Sequence, residues 1–528
     1  MTNKINKVRF APSPTGQVHI GNIRTAIFNW LYARHTGAEF LLRIEDTDIE
    51  RSTSEAINTL LECMEWLGID YDGTSVYQTQ MRDSHLSSAN HLVRKGLAYH
   101  AESKDSGSPA FFRIPWECAD CSSVRDAGEA FYDLHPNGVL EIGPNGITFS
   151  TVAKSGKPIE NSACLAGFRH LKALDAGGKV IFELEKHIDE VLKEQNTFNL
   201  ENVTKITFLR REVFFKDMVK GEMSKPLDSM KDLVIVRSDG TPIFHLANVC
   251  DDITQEITHI IRGDDHVENT YRHLLLFYAL GANAPSYGHL PMIINSSGKP
   301  FSKRDGDAFV GEFREKGFLP EALYNYLVLL GWSPGDDLEK MTRQQMIEKF
   351  TLERVKSAPA QFDINKLLNM NGIYIAELFF EEFMTNVRKF ADPSWDSEQL
   401  EKVAALMQSR TKIFSQISDW SYFFQDDFEL DMKSFAKQYK KPEIRATMKT
   451  VAEKLHSVSD FTAENIHLAI EEIAVKSELG GKLFQAIRLA ISGVAGGAEL
   501  DFTMQIIGRE RCVKNIEHAL QIAEKQFF

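Results

Sequence analysis

Residues 9–21 read RFAPSPTGQVHIG, and residues 43–48 read RIEDTD. A short apolar strand at residues 8–10 leads through a turn rich in proline and glycine into a helical run, and a second strand follows at residues 40–44. A helix that begins in this way leaves unpaired N–H groups at its N-terminus, where anions bind. Ser52 and Glu55 form a capping-box pattern before a further helix. The order strand, helix, strand, helix predicts a parallel α/β sheet.

The chain as a whole has the composition of an ordinary globular protein, with 528 residues of which 43% are hydrophobic and 25% charged. Its length predicts several domains. The net charge of −14 argues against a general nucleic-acid coat but leaves room for a local basic surface. Six scattered cysteines indicate reduced thiols. No apolar run reaches membrane-spanning length, and the strand starting near Lys7 leaves no room for a targeting peptide, so we expect a cytoplasmic protein without membrane association.

The α/β pattern is interrupted once along the chain. It stops after Tyr99 and resumes at residues 232–252, where a strand, a Ser-Asp-Gly turn and a helical run follow one another. The stretch up to about residue 206 mixes strand-like and helical runs, which is typical of an inserted α+β domain. From about residue 310 onward, amphipathic helical segments dominate. The sequence therefore predicts an α/β domain with an insertion, followed by a mainly α-helical region.

His19 lies in the His-Ile-Gly-Asn turn at the start of the first helix. A histidine in this place can simply cap the helix. Alternatively, His19 and the N–H groups near Gly21 and Asn22 hold the phosphates of a nucleotide, and Gly21 lets the ligand approach the backbone closely. The surrounding motif favours the second interpretation.

A second candidate is the basic loop GKPFSKRDGD at residues 298–307. A lone cluster of lysine and arginine is usually a solvated turn. Because this loop follows the last strand-like segment of the resumed α/β pattern, we predict that Lys303 reaches the β/γ-phosphates and stabilises charge on a pyrophosphate leaving group. Gly298 and Gly306 suit a loop that closes over a ligand.

Two arginines, Arg9 and Arg262, stand at strand ends and suit a substrate with two carboxylates. Either alone would more often be a surface ion pair, but the carboxyl ends of strands are where α/β sheets bind ligands. Glu45 would complement a ligand ammonium group, with Ser13 and Asn248 as hydrogen-bonding partners. Nearby acids that receive no chemical role are Asp46, Asp48, Asp264 and Asp265.

Other chemistries find less support in the sequence. Cys118-x-x-Cys121 is half of a zinc site, but no second pair with suitable spacing follows, so we do not expect structural zinc. There is no phosphate-binding loop of the Gly-x-x-x-x-Gly-Lys-Ser/Thr type. No Ser-His-Asp or Cys-His set stands out.

Several long motifs occur in an order that resembles one known family. They are RFAPSPTGQVHIG, RIEDTD, SDGTP-x-x-HLANV-x-DD, FSKR and GFLPEALYNYLVLLGWSPGDD. Together they resemble the bacterial glutamyl-tRNA synthetases, which are class I aminoacyl-tRNA synthetases. The resemblance covers residues 7–99 and 207–372 and, more weakly, the C-terminal end.

The resemblance implies an architecture and an activity. The architecture is a Rossmann-type catalytic domain (residues 1–99 and 230–298), an inserted acceptor-end-binding domain (100–229), the KMSKS loop with a stem-contact region (299–360) and a helical anticodon-binding domain (361–528). The activity is that of a glutamate–tRNA ligase, which joins L-glutamate and ATP to glutamyl-adenylate and passes the glutamyl group to the 3′ end of tRNA(Glu). Mg²⁺ would accompany ATP. A monomer is the family expectation.

The resemblance also implies roles for single residues. His19, Gly21 and Asn22 match the HIGH motif and Lys303 matches the second lysine of KMSKS, so these four bind ATP, with His19 and Lys303 as the catalytic pair. The implied glutamate-binding residues are Arg9, Ser13, Glu45, Phe244, Asn248 and Arg262. None of the residues is implied to bind a metal ion.

Three departures from the family are visible. Phe244 stands where the family usually has tyrosine, which removes a hydroxyl worth about 1.5–3 kcal/mol when it donates to a carboxylate. Pro300 and Phe301 replace the usual Lys and Leu or Met of the signature loop, with Lys299 one place earlier. The insertion at residues 100–206 diverges from the family.

Alternatives to this function stay open. A non-discriminating enzyme would also charge tRNA(Gln), and a paralogue without catalysis would only bind tRNA. Intact His19 and Lys303 oppose the paralogue. The helical second half opposes both a glutaminyl-tRNA synthetase and a shorter relative that glutamylates a tRNA base. The choice of tRNA lies in residues 361–528, where the basic candidates are Arg410, Lys412, Lys440, Lys441 and Arg445.

Overall fold

A computed structural model of the protein describes residues 5–14, 16–48, 52–101, 107–118, 120–135, 137–153, 155–193 and 196–527. The chain forms two compact units, one within residues 1–310 and 327–362 and the other within residues 311–326 and 363–528. The four domain boundaries inferred from the sequence stay a prediction.

The first unit begins with alternating strands and helices, as the sequence predicts. These elements are β1 (Lys7–Phe10), α1 (Ile20–Thr36), β2 (Glu39–Ile44), α2 (Ser54–Trp66), β3 (Val76–Tyr77), α3 (Arg82–Arg94) and β4 (Ala98–His100). Strands β1, β2 and β3 are parallel neighbours, with Val8 opposite Phe40. Gly37 ends α1 at φ 70°, a conformation that glycine adopts without strain.

The predicted capping box before α2 is wrong by one residue. The N-cap is Thr53, whose side chain accepts from the Ala56 N–H at 3.2 Å. Ser52 instead donates its N–H to the Asp48 carbonyl at 2.8 Å. Ser and Thr are both preferred N-cap residues, and Ser slightly more so, so the local sequence does not single out Thr53 over Ser52.

Strands predominate in the insertion. Its elements are β5 (Ala110–Phe112), β6 (Val124–Asp133), β7 (Val139–Gly143), β8 (Gly146–Val152), β9 (Pro158–Ala163), β10 (Phe168–Leu174), β11 (Val180–Glu183), α4 (Ile188–Val191), β12 (Phe198–Glu201), β13 (Lys205–Asp217) and β14 (Gly221–Pro226). One antiparallel sheet has the order β12-β7-β8-β9. The long strand β13 pairs antiparallel with β6, β10 and β14.

The α/β pattern then resumes within the first unit. Its elements are β15 (Leu233–Val236), α5 (Phe244–Thr254), β16 (His259–Gly263), α6 (Val267–Ala279), β17 (Ser286–Leu290), β18 (Ile293–Ile294) and, later in the chain, β19 (Ala360–Gln361). Strands β16 and β17 are parallel. The Thr258 N–H donates to the Lys7 carbonyl at 3.0 Å, which joins the start of β16 to β1. The end of β13 meets β17 through the parallel pair Asp217 and Tyr287.

Helices make up most of the chain after residue 309, as predicted. They are α7 (Val310–Glu315), α8 (Pro320–Leu329), α9 (Arg343–Lys349), α10 (Ile364–Ala376), α11 (Phe380–Phe390), α12 (Ser397–Met407), α13 (Met432–Tyr439), α14 (Pro442–Ser457), α15 (Ala463–Lys476), α16 (Gly481–Ser492), α17 (Leu500–Ile507) and α18 (Arg509–Phe527). The second unit buries Phe383, Trp420, Ile487 and Ile516 in one apolar core. Within the described ranges, no helix is long and apolar enough to cross a membrane.

Candidate active site

A cavity of about 620 Å³ opens at the carboxyl ends of β1, β2, β16 and β17. This is where parallel α/β sheets bind ligands, because the loops that follow neighbouring strands meet there. The predicted site residues in its wall are Arg9, Ser13, His19, Gly21, Asn22, Glu45, Phe244, Asn248 and Arg262. The fold thus brings together nine of the ten predicted residues, and Lys303 is the exception.

His19 caps helix α1 through its ring. Its Nδ1 accepts from the Gly21 N–H at 3.0 Å, and a Cβ at position 21 would lie only 3.2 Å from that nitrogen. Burial lowers the His19 pKa, a shift that a hydrogen bond to the Phe301 backbone partly opposes. A neutral ring whose Nδ1 accepts carries its proton on Nε2, so Nε2–H is the donor that the ring can offer.

The backbone N–H groups that we predicted to hold phosphate already have partners. The Gly21 N–H donates to His19 Nδ1, and the Asn22 N–H donates to the His19 carbonyl at 3.0 Å. Phosphate binding by these groups would therefore require an exchange of hydrogen bonds. The positive end of the α1 dipole and the His19 ring still favour an anion at this place.

The basic loop at residues 298–307 is fixed by contacts on both sides of Lys303. Phe301 is buried and packs its ring against Phe362, with 4.6 Å between the ring centroids. Asp305 accepts from the Ser302 backbone N–H at 2.9 Å and from Asn295 Nδ2 at 2.7 Å. Pro300 and Phe301 line the cavity, whereas Lys303 is exposed and outside its wall. The role of Lys303 therefore stays a prediction.

Arg9 is engaged by a carboxylate of the protein itself. Its Nε and Nη2 donate to the two oxygens of Asp252 at 3.0 and 3.3 Å. Arg43 Nη1 donates to Asp252 Oδ1 at 2.6 Å, and Arg43 Nη2 lies 3.3 Å from Glu45 Oε1. Burial alone would raise the Asp252 pKa, but the charges of Arg43 and Arg9 hold it below its ordinary value. The charge of Arg9 is thus already countered.

Sequence reasoning missed this buried network. Arg43 and Asp252 received no role, although both lie inside the motifs RIEDTD and HLANV-x-DD. Their position inside these motifs is the sequence feature that could have identified them. Since Arg43, Asp252 and Glu45 are all buried, they hold one another and Arg9 in fixed positions.

Glu45 and Asn248 offer oxygen atoms at the cavity wall. Asn248 Nδ2 donates to Glu45 Oε1 at 2.7 Å, while Asn248 Oδ1 is buried and has no hydrogen-bond partner in the described part of the chain. Burial raises the Glu45 pKa, against the lowering effect of Arg43 and Arg9. A buried acceptor without a donor costs stability, and a ligand ammonium group would supply that donor.

Arg262 is a buried cation that forms no ion pair with a described carboxylate. Its Nε donates to His289 Nε2 at 3.3 Å, and its Nη2 donates to Thr270 Oγ1 at 2.8 Å and to the His266 carbonyl at 3.3 Å. No described carboxylate lies within 4 Å of it, and burial lowers its pKa to about 10. None of these hydrogen bonds uses Nη1. This guanidinium can therefore bind an anion at the cavity wall.

Phe244 packs among three histidines that sequence reasoning did not single out. Its ring centroid lies 5.5, 6.0 and 5.7 Å from those of His245, His266 and His273. Burial lowers the pKa of all three rings, to about 4 for His245. The rings are therefore neutral at pH 7, and they add no positive charge beside Arg262.

The cysteine pair of the insertion lies outside this cavity. Cys118 and Cys121 are buried, and Cys118 Sγ accepts from Arg211 Nη2 at 3.2 Å. Burial raises the pKa of both thiols, so both are protonated at pH 7. Among the residues that the structure covers, no group of three or more His, Cys, Asp or Glu side chains is arranged to hold a metal ion.

The geometry defines what the cavity can bind. It combines the Arg262 guanidinium, which has no described carboxylate within 4 Å, the oxygens of Glu45 and Asn248, and a helix N-terminus capped by His19. A cation and a pair of acceptors suit an amino acid that carries an additional carboxylate. The helix terminus suits the phosphates of a nucleotide.

Comparisons with known proteins agree with this description. The family described as tRNA synthetases class I (E and Q), catalytic domain, matches residues 6–106 and 182–369, and an anticodon binding domain matches residues 382–520. The chain is similar to a glutamate tRNA ligase from Elizabethkingia meningosepticum, solved in complex with its amino acid. The two chains are 27% identical with a TM-score of 0.68, and the match covers 98% of this chain and 99% of that one. A glutamate-tRNA synthetase from Elizabethkingia anophelis is 26% identical with a TM-score of 0.68, covering 98% and 100%.

The first family match covers more than half of the chain and leaves out residues 107–181, within the insertion that we predicted to diverge. The predicted fold class is confirmed: an α/β catalytic domain precedes a helical region that carries the anticodon-binding match. The prediction of a ligase enzyme is confirmed at the level of the family. The chain belongs to the class I aminoacyl-tRNA synthetases of the E and Q type.

Proposed function

We propose that this protein is a glutamate–tRNA ligase that forms glutamyl-adenylate from L-glutamate and ATP and transfers the glutamyl group to the 3′ end of tRNA(Glu). The observation that carries the proposal is the buried Arg262 guanidinium, which lines the cavity without a carboxylate of the described chain beside it. A substrate with a negatively charged side chain would supply that countercharge. Two similar structures over the whole chain are glutamate–tRNA ligases.

Glutamate would lie between Arg262 and the oxygens of Glu45 and Asn248. In this arrangement Arg262 binds a substrate carboxylate through its unused Nη1, and Glu45 and Asn248 hold the α-ammonium group with Ser13. Arg9 would contribute Nη1, because its other two donors are held by Asp252. Phe244 closes the pocket with an apolar ring where a hydroxyl would otherwise donate.

ATP would lie with its phosphates toward His19 and the N-terminus of α1. The α-carboxylate of glutamate attacks the α-phosphorus and pyrophosphate leaves. A hydroxyl of the terminal adenosine of tRNA then attacks the activated carbonyl, its proton passes to a phosphate oxygen of the departing AMP, and AMP leaves. In the first step the attacking carboxylate is already ionised, so that step needs no strong general base, and its catalysis rests on positioning and electrostatic stabilisation. Mg²⁺ bound with ATP would neutralise phosphate charge.

ATP–pyrophosphate exchange tests the proposal directly. Exchange is measured with each of the twenty amino acids, with and without tRNA. We expect exchange with glutamate in the presence of its tRNA. No exchange under that condition would contradict the proposal and favour a paralogue that only binds tRNA.

The tRNA partner is the second part of the proposal. Charging of tRNA(Glu) alone would indicate a discriminating enzyme, whereas equal charging of tRNA(Gln) would indicate the non-discriminating alternative. We further propose that the enzyme is a cytoplasmic monomer with the domain boundaries given above. Sedimentation tests the monomer, and limited proteolysis tests the boundaries.

A further inference from the structure

We propose that Asp217 and His289 are positioning residues, which hold Arg262 in the orientation that binds the substrate carboxylate. This inference rests on the proposed function. Neither residue belongs to the wall of the active-site cavity, and neither was a candidate from the sequence.

The three side chains form one buried chain of hydrogen bonds. His289 Nδ1 lies 2.6 Å from Asp217 Oδ2, and Arg262 Nε donates to His289 Nε2 at 3.3 Å. Asp217 and His289 are 2% and 0% exposed. Thr270 Oγ1 accepts from Arg262 Nη2 at 2.8 Å and lies 3.0 Å from His289 Nε2. The orientation of Arg262 is thus set by partners behind the cavity wall.

The chemistry of these groups fixes the histidine tautomer. A guanidinium can only donate, so His289 Nε2 must accept from Arg262 and the ring proton must lie on Nδ1. That proton points to the Asp217 carboxylate, which can only accept. A neutral His289 with its proton on Nδ1 is the single form that satisfies both neighbours. Burial keeps the His289 pKa below its ordinary value, although the hydrogen bond to Asp217 opposes this effect.

The Asp217 carboxylate is itself held in one orientation. Its Oδ1 accepts the backbone N–H groups of Val219 and Lys220, both at 2.9 Å, and that of His289 at 3.2 Å. Asp217 ends strand β13 of the insertion and lies opposite Tyr287 of β17. The insertion therefore supplies a residue that orients the amino-acid pocket.

Asp217→Asn tests the tautomer directly. The amide oxygen must take the position of Oδ1, because three backbone N–H groups point at it. The amide NH₂ then donates to His289 Nδ1, so the ring proton must lie on Nε2. There the ring N–H faces the N–H of Arg262 Nε, and two donors point at each other. Mutation of the partners that orient metal-binding side chains typically costs about 10- to 100-fold in affinity or activity, and we take the same scale for a partner that orients an arginine. We expect a rise of this size in the glutamate KM, with the ATP KM within about twofold of wild type.

His289→Gln supplies the rescue. The amide oxygen of glutamine can accept from Arg262 Nε with either Asp or Asn at position 217. The reason is that an amide, unlike a histidine ring, does not exchange its donor and acceptor by tautomerism. In this background, Asp217→Asn should change the glutamate KM by less than about twofold. A merely structural role of Asp217 predicts the same loss in both backgrounds.

Asp228→Asn is the matched control. Asp228 is a buried carboxylate of the same unit whose Oδ2 accepts from Tyr132 Oη at 2.7 Å and from Arg210 Nη2 at 3.1 Å, and it does not line the cavity. We expect a lower unfolding temperature with an unchanged glutamate KM.

Wild-type protein without glutamate-dependent exchange would overturn the proposed function and this inference together. Active wild type with an unchanged KM in Asp217→Asn, or without rescue by His289→Gln, would overturn the inference alone.

Discussion

Replacing Arg262 by methionine tests whether this arginine binds the substrate or only stabilises the fold. The burial that lowers the Arg262 pKa to about 10 corresponds to roughly 3 kcal/mol against the charged group in the ligand-free cavity. Methionine removes this cost. It also leaves His289 Nε2, Thr270 Oγ1 and the His266 carbonyl without this donor, each worth about 1 kcal/mol. The free energy of unfolding should therefore change by no more than about 1–2 kcal/mol.

Glutamate binding should respond far more strongly than stability. A substrate carboxylate that enters the cavity without its guanidinium partner loses about 3–5 kcal/mol, because a buried charge stays unpaired. This corresponds to a rise in the glutamate KM of roughly 100- to 1000-fold or more. The ATP KM should stay within about threefold, since we propose that the nucleotide binds at the other end of the cavity.

The assay is ATP–pyrophosphate exchange over a range of glutamate concentrations, together with urea unfolding of the same preparation. Arg211→Met is the control, because Arg211 is equally buried but donates to the Trp116 carbonyl at 2.6 Å and lies outside the cavity. This control should lose stability and keep its glutamate KM. An Arg262→Met protein that is destabilised by several kcal/mol and keeps its glutamate KM would refute the assignment of Arg262.

Four further outcomes are expected. Lys303→Ala should abolish exchange while keeping tRNA affinity, because its charge acts on the leaving pyrophosphate; unchanged exchange would remove Lys303 from the mechanism. Phe244→Tyr should lower the glutamate KM by about tenfold, because it restores a hydroxyl donor; an unchanged KM would show that no hydroxyl is missing. Arg9→Lys should raise the glutamate KM and lower the unfolding temperature, because lysine cannot bind Asp252 through two donors; a normal unfolding temperature would contradict the importance of that pair. The free energy of unfolding should fall as the pH decreases from 6.5 towards 4, because burial lowers the His245 pKa to about 4 and only the unfolded chain takes up this proton; His245→Asn should reduce the slope in urea unfolding, and an unaltered slope would exclude His245 as its source.

Local residue patterns are enough to predict the secondary-structure elements and the position of the candidate site. The strand, the Pro- and Gly-rich turn and the cap at His19 depend on neighbouring residues, so their pattern is readable in the chain. The same holds for the helices of the second unit. Because parallel strands present their carboxyl ends at one edge, placing Arg9 and Arg262 at strand ends was enough to bring both to the cavity.

Which of these arginines is available to an anion becomes visible in the folded chain alone. The sequence places both Arg9 and Arg262 at strand ends, and the family resemblance implies that Arg9 binds the side-chain carboxylate of glutamate and that Arg262 is the other carboxylate ligand. In the fold, Arg9 pairs with Asp252, which is 243 residues away, whereas Arg262 is oriented by neutral partners, His289 and Thr270. The energy of a buried charge depends on the groups within a few ångströms of it, and those neighbours come from distant segments whose distances no local pattern encodes.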